Sequence, residues 1–404
     1  MGDSTFITRV RLQNYKSIGR CDVSLGALTF LVGPNGAGKS NFVDALRFVA
    51  EALRTTLELA LRDRGGIGEV RRRSAGHPNH FALGLDFALG DRIGTYFFRI
   101  GAKPRGAWEV QEESCHIAPT RLADYHFSAH FRVESGNVRE CSASTYPPAA
   151  PDRLYLVNAA GLPEFRPLYD ALSSMGFYNL NPDKIKELQS PGPGNILARD
   201  GSNITSVYEN LSRDNGLASD RVIDYLSQVV PGVRGVDVKM LGPKQTLEFR
   251  QVVAGSKDPW RFLAANMSDG TLRAFGVLVA LFQTANGKGA IRLVALEEPE
   301  SALHPGAAGV LLDSLTEVCQ RTQVLVTSHS PDVLDEPNIF GDIIAVQGDS
   351  GSTELAPLDD AARSALKDRL YTAGELMRAG QLKPDSAYLE RVRQGHLFDG
   401  DSLD

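Results

Sequence analysis

Apolar and polar positions repeat with different periods along this chain, and the changes of period mark out its elements. Leu28-Thr29-Phe30-Leu31-Val32 is an unbroken apolar run of strand length, which predicts a strand covered on both faces. Glycines follow. Then Asn41, Phe42, Val43, Ala45, Leu46, Phe48 and Val49 recur at helical spacing. Residues 51–64 extend this helix with charges along one face, and Gly65 to Arg73 reads as a loop. From Phe81 to Val138 the period falls to two, in Phe81–Phe87, Tyr96–Ile100, Trp108–Val110 and Phe131–Val133. That predicts antiparallel sheet with short turns. A proline-rich break, Thr145–Pro151, precedes Leu154-Tyr155-Leu156-Val157, which reads as one more strand.

Helical spacing returns in Glu164–Met175, Pro182–Gln189, Ser206–Arg213 and Ala218–Val229, each interrupted by Pro or Gly. Arg199–Asn203 is a turn before a helix. Val236–Met240 and Thr246–Gln251 predict a hairpin, and Leu272–Phe282 a long apolar helix. Residues 292–347 then read as strand, helix, strand, strand in parallel fashion. The expected fold class is α/β, with a mixed or parallel core sheet, an antiparallel β subdomain and an inserted helical lobe. The expected units are residues 1–160, 161–234 for the helical insertion, 235–358 and a small helical tail at 359–404.

Candidate chemistry falls at the ends of these runs. Gly33-Pro34-Asn35-Gly36-Ala37-Gly38-Lys39-Ser40 is a complete G-x-x-x-x-G-K-S loop between a strand and a helix. Its backbone N–H groups and helix N-terminus suit the phosphates of ATP or GTP. Lys39 would reach the β- and γ-phosphates, and the Ser40 hydroxyl would hold Mg²⁺. Arg292–Leu296 ends in Glu297 and Glu298. Glu297 at a strand end can serve the Mg²⁺ shell, through a bound water or directly, and Glu298 can act as general base toward the attacking water. Val324–Thr327 is followed by His329, placed for the γ-phosphate or that water. Ser268-Asp269-Gly270-Thr271 opens the helix at Leu272, with Ser268 or Asp269 as its cap. This is a second phosphate-binding end, too far along the chain to be the first loop's own helix. If both ends grip one γ-phosphate, the second comes from another copy of the chain.

Together these motifs resemble the ABC-type ATPases of the RecF, SMC and OLD group. Val10–Ile18 resembles their first strand and turn, and Gly33–Asn41 their phosphate loop. Asn266–Arg273 resembles their signature segment, written S-D-G-T. Glu297–Pro305 resembles their Walker B and D-loop in the E-E-P-E-x-x-L-H-P form, and Ser328–Pro331 their switch histidine. The likeness is greatest to compact bacterial OLD-like predicted ATPases of the AAA-labelled kind, whose tail resembles Leu370–Leu376 with Gly380–Leu382. The resemblance implies residues 1–160 and 235–358 as two ATPase lobes. It implies nucleotide contacts from Asn35, Gly36, Gly38, Lys39, Ser40 and Asn41, and from Ser268, Asp269 and Gly270 of a second chain in a head-to-tail homodimer or larger assembly. Glu297 stands where most such proteins have Asp, and His304 where transporter-type relatives have Asp.

The resemblance also narrows the output. OLD relatives often add a metal-dependent Toprim nuclease, but about seventy-five residues follow His329, and Asp399-Gly400-Asp401 has no apolar strand before it. The expectation is an Mg²⁺-dependent ATPase that senses or gates a separately encoded effector, in bacterial antiphage defence. The alternative is a DNA-repair clamp that closes on DNA. The net charge of −6 advertises no nucleic-acid field, although Arg62, Arg64 and Arg71–Arg73 form a local basic cluster. His116, His126 and His130 fall in strand-like sequence and are not read as a metal site. Cys21, Cys115, Cys141 and Cys319 lack C-x-x-C spacing, and there is no apolar run of membrane length and no secretory signal, so a cytoplasmic protein is expected.

Overall fold

The computed structural model describes residues 4–74, 78–120, 128–283, 291–301, 303–335, 342–349, 351–395 and 397–398. His126, the first three residues and the acidic end Asp399–Asp404 lie outside them.

The chain opens with β1 (Ile7–Tyr15) and β2 (Ile18–Ser24), then β3 (Leu28–Val32), α1 (Lys39–Arg54), α2 (Leu57–Arg62) and α3 (Ile67–Val70). A break at Thr55 and Thr56 divides the expected single helix, because the Thr56 hydroxyl accepts from Leu59 N–H and starts a new cap. The meander β4 (His80–Leu89), β5 (Arg92–Ala102), β6 (Trp108–Pro119), β7 (Ala129–Glu134) and β8 (Asn137–Cys141) follows the alternating pattern.

Leu154–Val157 is not a strand. Residues Tyr155–Ala159 form α4, whose first N–H groups, those of Tyr155 and Leu156, are accepted by the buried carboxylate of Glu113 in β6. Four apolar residues cannot tell the two conformations apart, and a cap from a distant strand decides here.

Next come α5 (Arg166–Ser173), β9 (Gly176–Tyr178), α6 (Pro182–Lys186), α7 (Ile204–Asp214) and α8 (Gly216–Val229), then β10 (Val233–Leu241), β11 (Lys244–Gln251) and β12 (Trp260–Leu263). The last part holds α9 (Asp269–Phe282), β13 (Leu293–Glu297), α10 (Ala308–Cys319), β14 (Gln323–Ser328), α11 (Pro331–Leu334), β15 (Asp342–Asp349), β16 (Ser352–Pro357), α12 (Asp360–Lys367), α13 (Ala373–Arg378) and α14 (Ser386–Gln394).

Among the described residues thirteen strands form one sheet in the order β8-β7-β6-β5-β4-β1-β2-β16-β15-β3-β14-β13-β9, and β10-β11-β12 make a separate small sheet. The antiparallel meander therefore continues the core sheet. The helical insertion contributes a three-residue strand to that sheet, β9, parallel to β13. The parallel centre is β15-β3-β14-β13-β9. Alternate residues of its strands face opposite layers. Leu31, Ala295 and Leu325 join a core containing α1 and α5. Phe30, Leu296 and Val326 join a second core containing α7, α8, α9 and α10. Helices α1 and α9 thus lie on opposite faces of the sheet.

Candidate functional site

Parallel pairing sets the site. Ser328 of β14 is level with Val32 of β3, and Thr327 is level with Glu297 of β13. The residues that come next, Gly33, His329 and Glu298, leave the sheet together at its carboxyl edge, where open α/β sheets bind ligands.

The phosphate loop is built to bring backbone close to an anion. Gly38 caps α1 with φ 103°, and a Cβ there would lie 2.0 Å from the Thr353 hydroxyl, so only glycine fits. Thr353 of β16 donates to Ala37 O at 2.9 Å and lies 2.7 Å from the Ser17 hydroxyl. Asn41 donates to that same Ser17 oxygen at 2.6 Å, so its amide braces the first turn. Asn35, Gly36 and Ser40 are exposed. Lys39 is buried, and its ammonium donates to Gly33 O at 2.7 Å and Pro34 O at 3.1 Å. Burial lowers the Lys39 pKa, and the charges of Glu298 and Glu300 oppose that.

Glu298 has a left-handed backbone, φ 46°, a strained state for a side chain of this size. Its N–H donates to Thr327 O at 3.0 Å, and its own carbonyl accepts from Arg273 at 2.9 Å. Nδ1 of His329 lies 3.1 Å from a Glu298 carboxylate oxygen, without the alignment of a hydrogen bond. Glu300 accepts from the Ser328 hydroxyl at 2.6 Å, and its other oxygen is buried without a hydrogen bond. Glu297 is buried, and Arg199 of the inserted segment donates to it at 2.7 Å.

The signature segment is placed differently. Ser268, not Asp269, caps α9 by accepting from Thr271 N–H at 3.3 Å. Asp269 pairs with Lys186 of α6. Arg273 enters from α9 and donates to Leu180 O at 2.7 Å and Glu297 O at 3.3 Å as well as to Glu298. Its pKa is lowered by burial, against Glu300 and Glu298. So Lys39, Glu298 and His329 converge within the chain. The Ser268–Gly270 end lies on the face opposite α1, with β14 between β3 and β13.

The donor set fits the triphosphate of a nucleotide: a glycine cradle, a helix N-terminus and a buried lysine bound to its own loop's carbonyls. For Mg²⁺ the fit is partial, and needs the nucleotide. Among the described residues no group of three or more His, Cys, Asp or Glu could hold a metal ion. Ser40 and Glu297 suit a metal that takes most of its ligands from phosphate and water.

Other sequence features resolve into structure. Arg64 is buried against Asp44 and Glu51, and Arg73 pairs with Glu69. Arg71 donates to Pro78 O at 2.8 Å. His116 and His130 are opposite each other in β6 and β7. Arg199, Arg273, Glu300 and Thr353 were absent from the sequence-derived site, since each acts through contacts between distant segments. Among the described residues no helix is long and apolar enough to cross a membrane.

A family model described as "AAA domain, putative AbiEii toxin, Type IV TA system" matches residues 28–335. No curated protein matches the chain. Among solved structures, a Smc head bound to the C-winged helix domain of ScpA is 14% identical, with TM-score 0.54, covering 89% of this chain and 99% of that one. A Smc head with an extended coiled coil from Pyrococcus furiosus, bound to the C-terminal domain of ScpA, is 13% identical, with TM-score 0.54, covering 90% and 99%. A Smc head with coiled coil and joint from Pyrococcus yayanosii is 12% identical, with TM-score 0.50, covering 90% and 99%. The fold is that of the SMC-head P-loop ATPases. Two of those heads are described with a coiled coil; the inserted segment of this chain has helices of 11 and 14 residues.

Proposed function

The chain belongs to the AAA_21 family of AAA domains, an ABC-type ATPase of the RecF and SMC group, and on that premise we propose that it binds and hydrolyses ATP in a head-to-tail homodimer. The observation that carries this reading is the common carboxyl edge from which the phosphate loop, Glu298 and His329 emerge. Lys39 leaves its loop carbonyls for the β- and γ-phosphates. Glu298 takes a proton from water as the water oxygen bonds to the γ-phosphorus. The bond from that phosphorus to the β-phosphate oxygen breaks, giving ADP and phosphate. His329 holds the γ-phosphate or the water beside Glu298. Ser40 and Glu297 would hold Mg²⁺, which supplies charge neutralisation of the phosphates when bound. Asn35, Gly36, Gly38 and Asn41 shape the loop around the anion.

The opposite-face arrangement of α1 and α9 supports a shared site. In that arrangement the γ-phosphate held at α1 of one chain is gripped by Ser268, Asp269 and Gly270 of a second copy. Closure of the dimer is then the output, passed to a separately encoded effector. The family's description names a toxin of a Type IV TA system, and Smc heads of the same fold have been solved with ScpA domains bound. The bound ScpA domains support a protein partner, and the toxin-system description is the support for a defence setting; the pairing of Arg64 and Arg73 with acids leaves less free positive charge for a DNA clamp. We place this activity in the cytoplasm. Lys39→Ala tests the site directly, with loss of ATP binding expected; unchanged ATP affinity would overturn the reading.

A further inference from the structure

Residues 196–203 turn back from the inserted helices toward the end of β13, and their backbone is fixed at several points. Asn179 N–H donates to Arg199 O at 2.9 Å, and Asn181 N–H to Asp200 O at 3.1 Å. The Asn203 side chain spans the turn, accepting from Ala198 N–H at 2.7 Å and donating to Ile196 O at 3.0 Å. Gln283, just past α9, accepts from Leu197 N–H at 3.0 Å. Nearby, Leu180 packs so closely on Gly276 of α9 that a Cβ there would lie 2.8 Å from it. The turn is therefore seated on both the signature helix and the sheet edge.

From this seat Arg199 reaches Glu297. The Glu297 side chain is 10% exposed and the Arg199 side chain 44% exposed. A buried carboxylate gives up a cation only when another charge or donor takes its place. Mg²⁺ arriving with nucleotide is such a charge, and Glu297 is the acid that would serve it. Two cations thus compete for one carboxylate.

We propose that Arg199 is a positioning residue of the nucleotide site, which holds Glu297 and yields it when Mg²⁺ binds with ATP. The inference rests on the reading of Glu297 as the metal-side acid. Linkage makes the competition reciprocal: Arg199 weakens metal binding, and metal binding releases the turn that carries Arg199 from its contact with β13. The inserted segment thereby senses whether the metal-nucleotide complex is present.

The test is a Mg²⁺ titration of fluorescent ATP-analogue binding, read as the Mg²⁺ concentration at half-maximal binding. Arg199→Ala should lower that midpoint about fivefold or more. Arg199→Lys should stay nearer to wild type. In a Glu297→Gln background, Arg199→Ala should produce no further shift. An unchanged midpoint in Arg199→Ala, or an equal shift in the Glu297→Gln background, overturns the inference while leaving the site reading intact. Wild-type protein that binds no analogue at any Mg²⁺ concentration removes both. If the alanine variant does not fold, Arg199→Gln keeps the stem and carries the same readout.

Discussion

Nη2 of Arg273 lies 2.9 Å from the carbonyl oxygen of Glu298, so the signature helix holds the backbone of the residue that follows β13. The same guanidinium bonds Leu180 O at 2.7 Å. Glu298 keeps its left-handed conformation under these restraints and those from Thr327. Arg273→Lys loses the two-armed geometry. Hydrogen bonds from charged groups are worth about 1.5–3 kcal/mol, so ATP turnover should fall about 10- to 100-fold. ATP affinity should change little, because Lys39 and the loop are untouched. Steady-state hydrolysis together with equilibrium binding separates the two effects.

Glu298→Gln removes the group assigned to accept the proton of water, and keeps the side chain's size. Turnover should fall by about a hundredfold or more, while ATP binding persists. The bound state should accumulate as a dimer, which light scattering with ATP can measure. A variant that stays monomeric with ATP would count against the shared site.

Thr353→Val keeps the packing over Gly38 but deletes the hydroxyl that joins Ala37 O to Ser17. A neutral hydrogen bond contributes about 1 kcal/mol, so ATP affinity should weaken about fivefold. Thr353→Ser should restore it. Calorimetric titration of the two variants makes the comparison.

Glu113 gives a pH signature remote from the nucleotide. Burial pushes its carboxyl up to about 7, against hydrogen bonds from Tyr155 N–H, Leu156 N–H and the Tyr96 hydroxyl, which lower it. The folded chain therefore holds this proton more tightly than the unfolded chain. The stabilisation is complete below the ordinary glutamate value of 4.5 and is lost as pH rises through about 7, a change on the order of 3 kcal/mol. Melting curves at pH 5 and pH 8 should show wild type losing stability across that range relative to Glu113→Gln.

Much of this architecture is legible in the sequence because it is local. The run at Leu28–Val32, the glycine loop and the helix after it are contiguous, and each states its own conformation. The acids after β13 and the histidine after β14 sit at the ends of apolar strands, so parallel pairing alone aligns them. What stays hidden is decided across distance. The Leu154–Val157 segment becomes α4 because Glu113 caps it from another strand. Gly176–Tyr178 is too short to display a period, and is a strand because β13 offers an open neighbour. Trp260–Leu263 likewise pairs with β11 without announcing itself. Arg199 and Arg273 look like ordinary polar residues until the fold sets one against Glu297 and the other against Glu298.

The position of β3 in the sheet has a consequence for how the molecule is made. Its neighbours are β14 and β15, with Leu28 level with Val324 and Thr29 level with Asp342. Strands β4 to β8 can pair one after another as they leave the ribosome, each with the strand just made. β3 cannot, since about three hundred residues separate it from either partner. Pairings at such separations form late, after the local ones. The phosphate loop is thus synthesised well before its frame, so a growing chain has no finished nucleotide pocket until β14 and β15 have been translated.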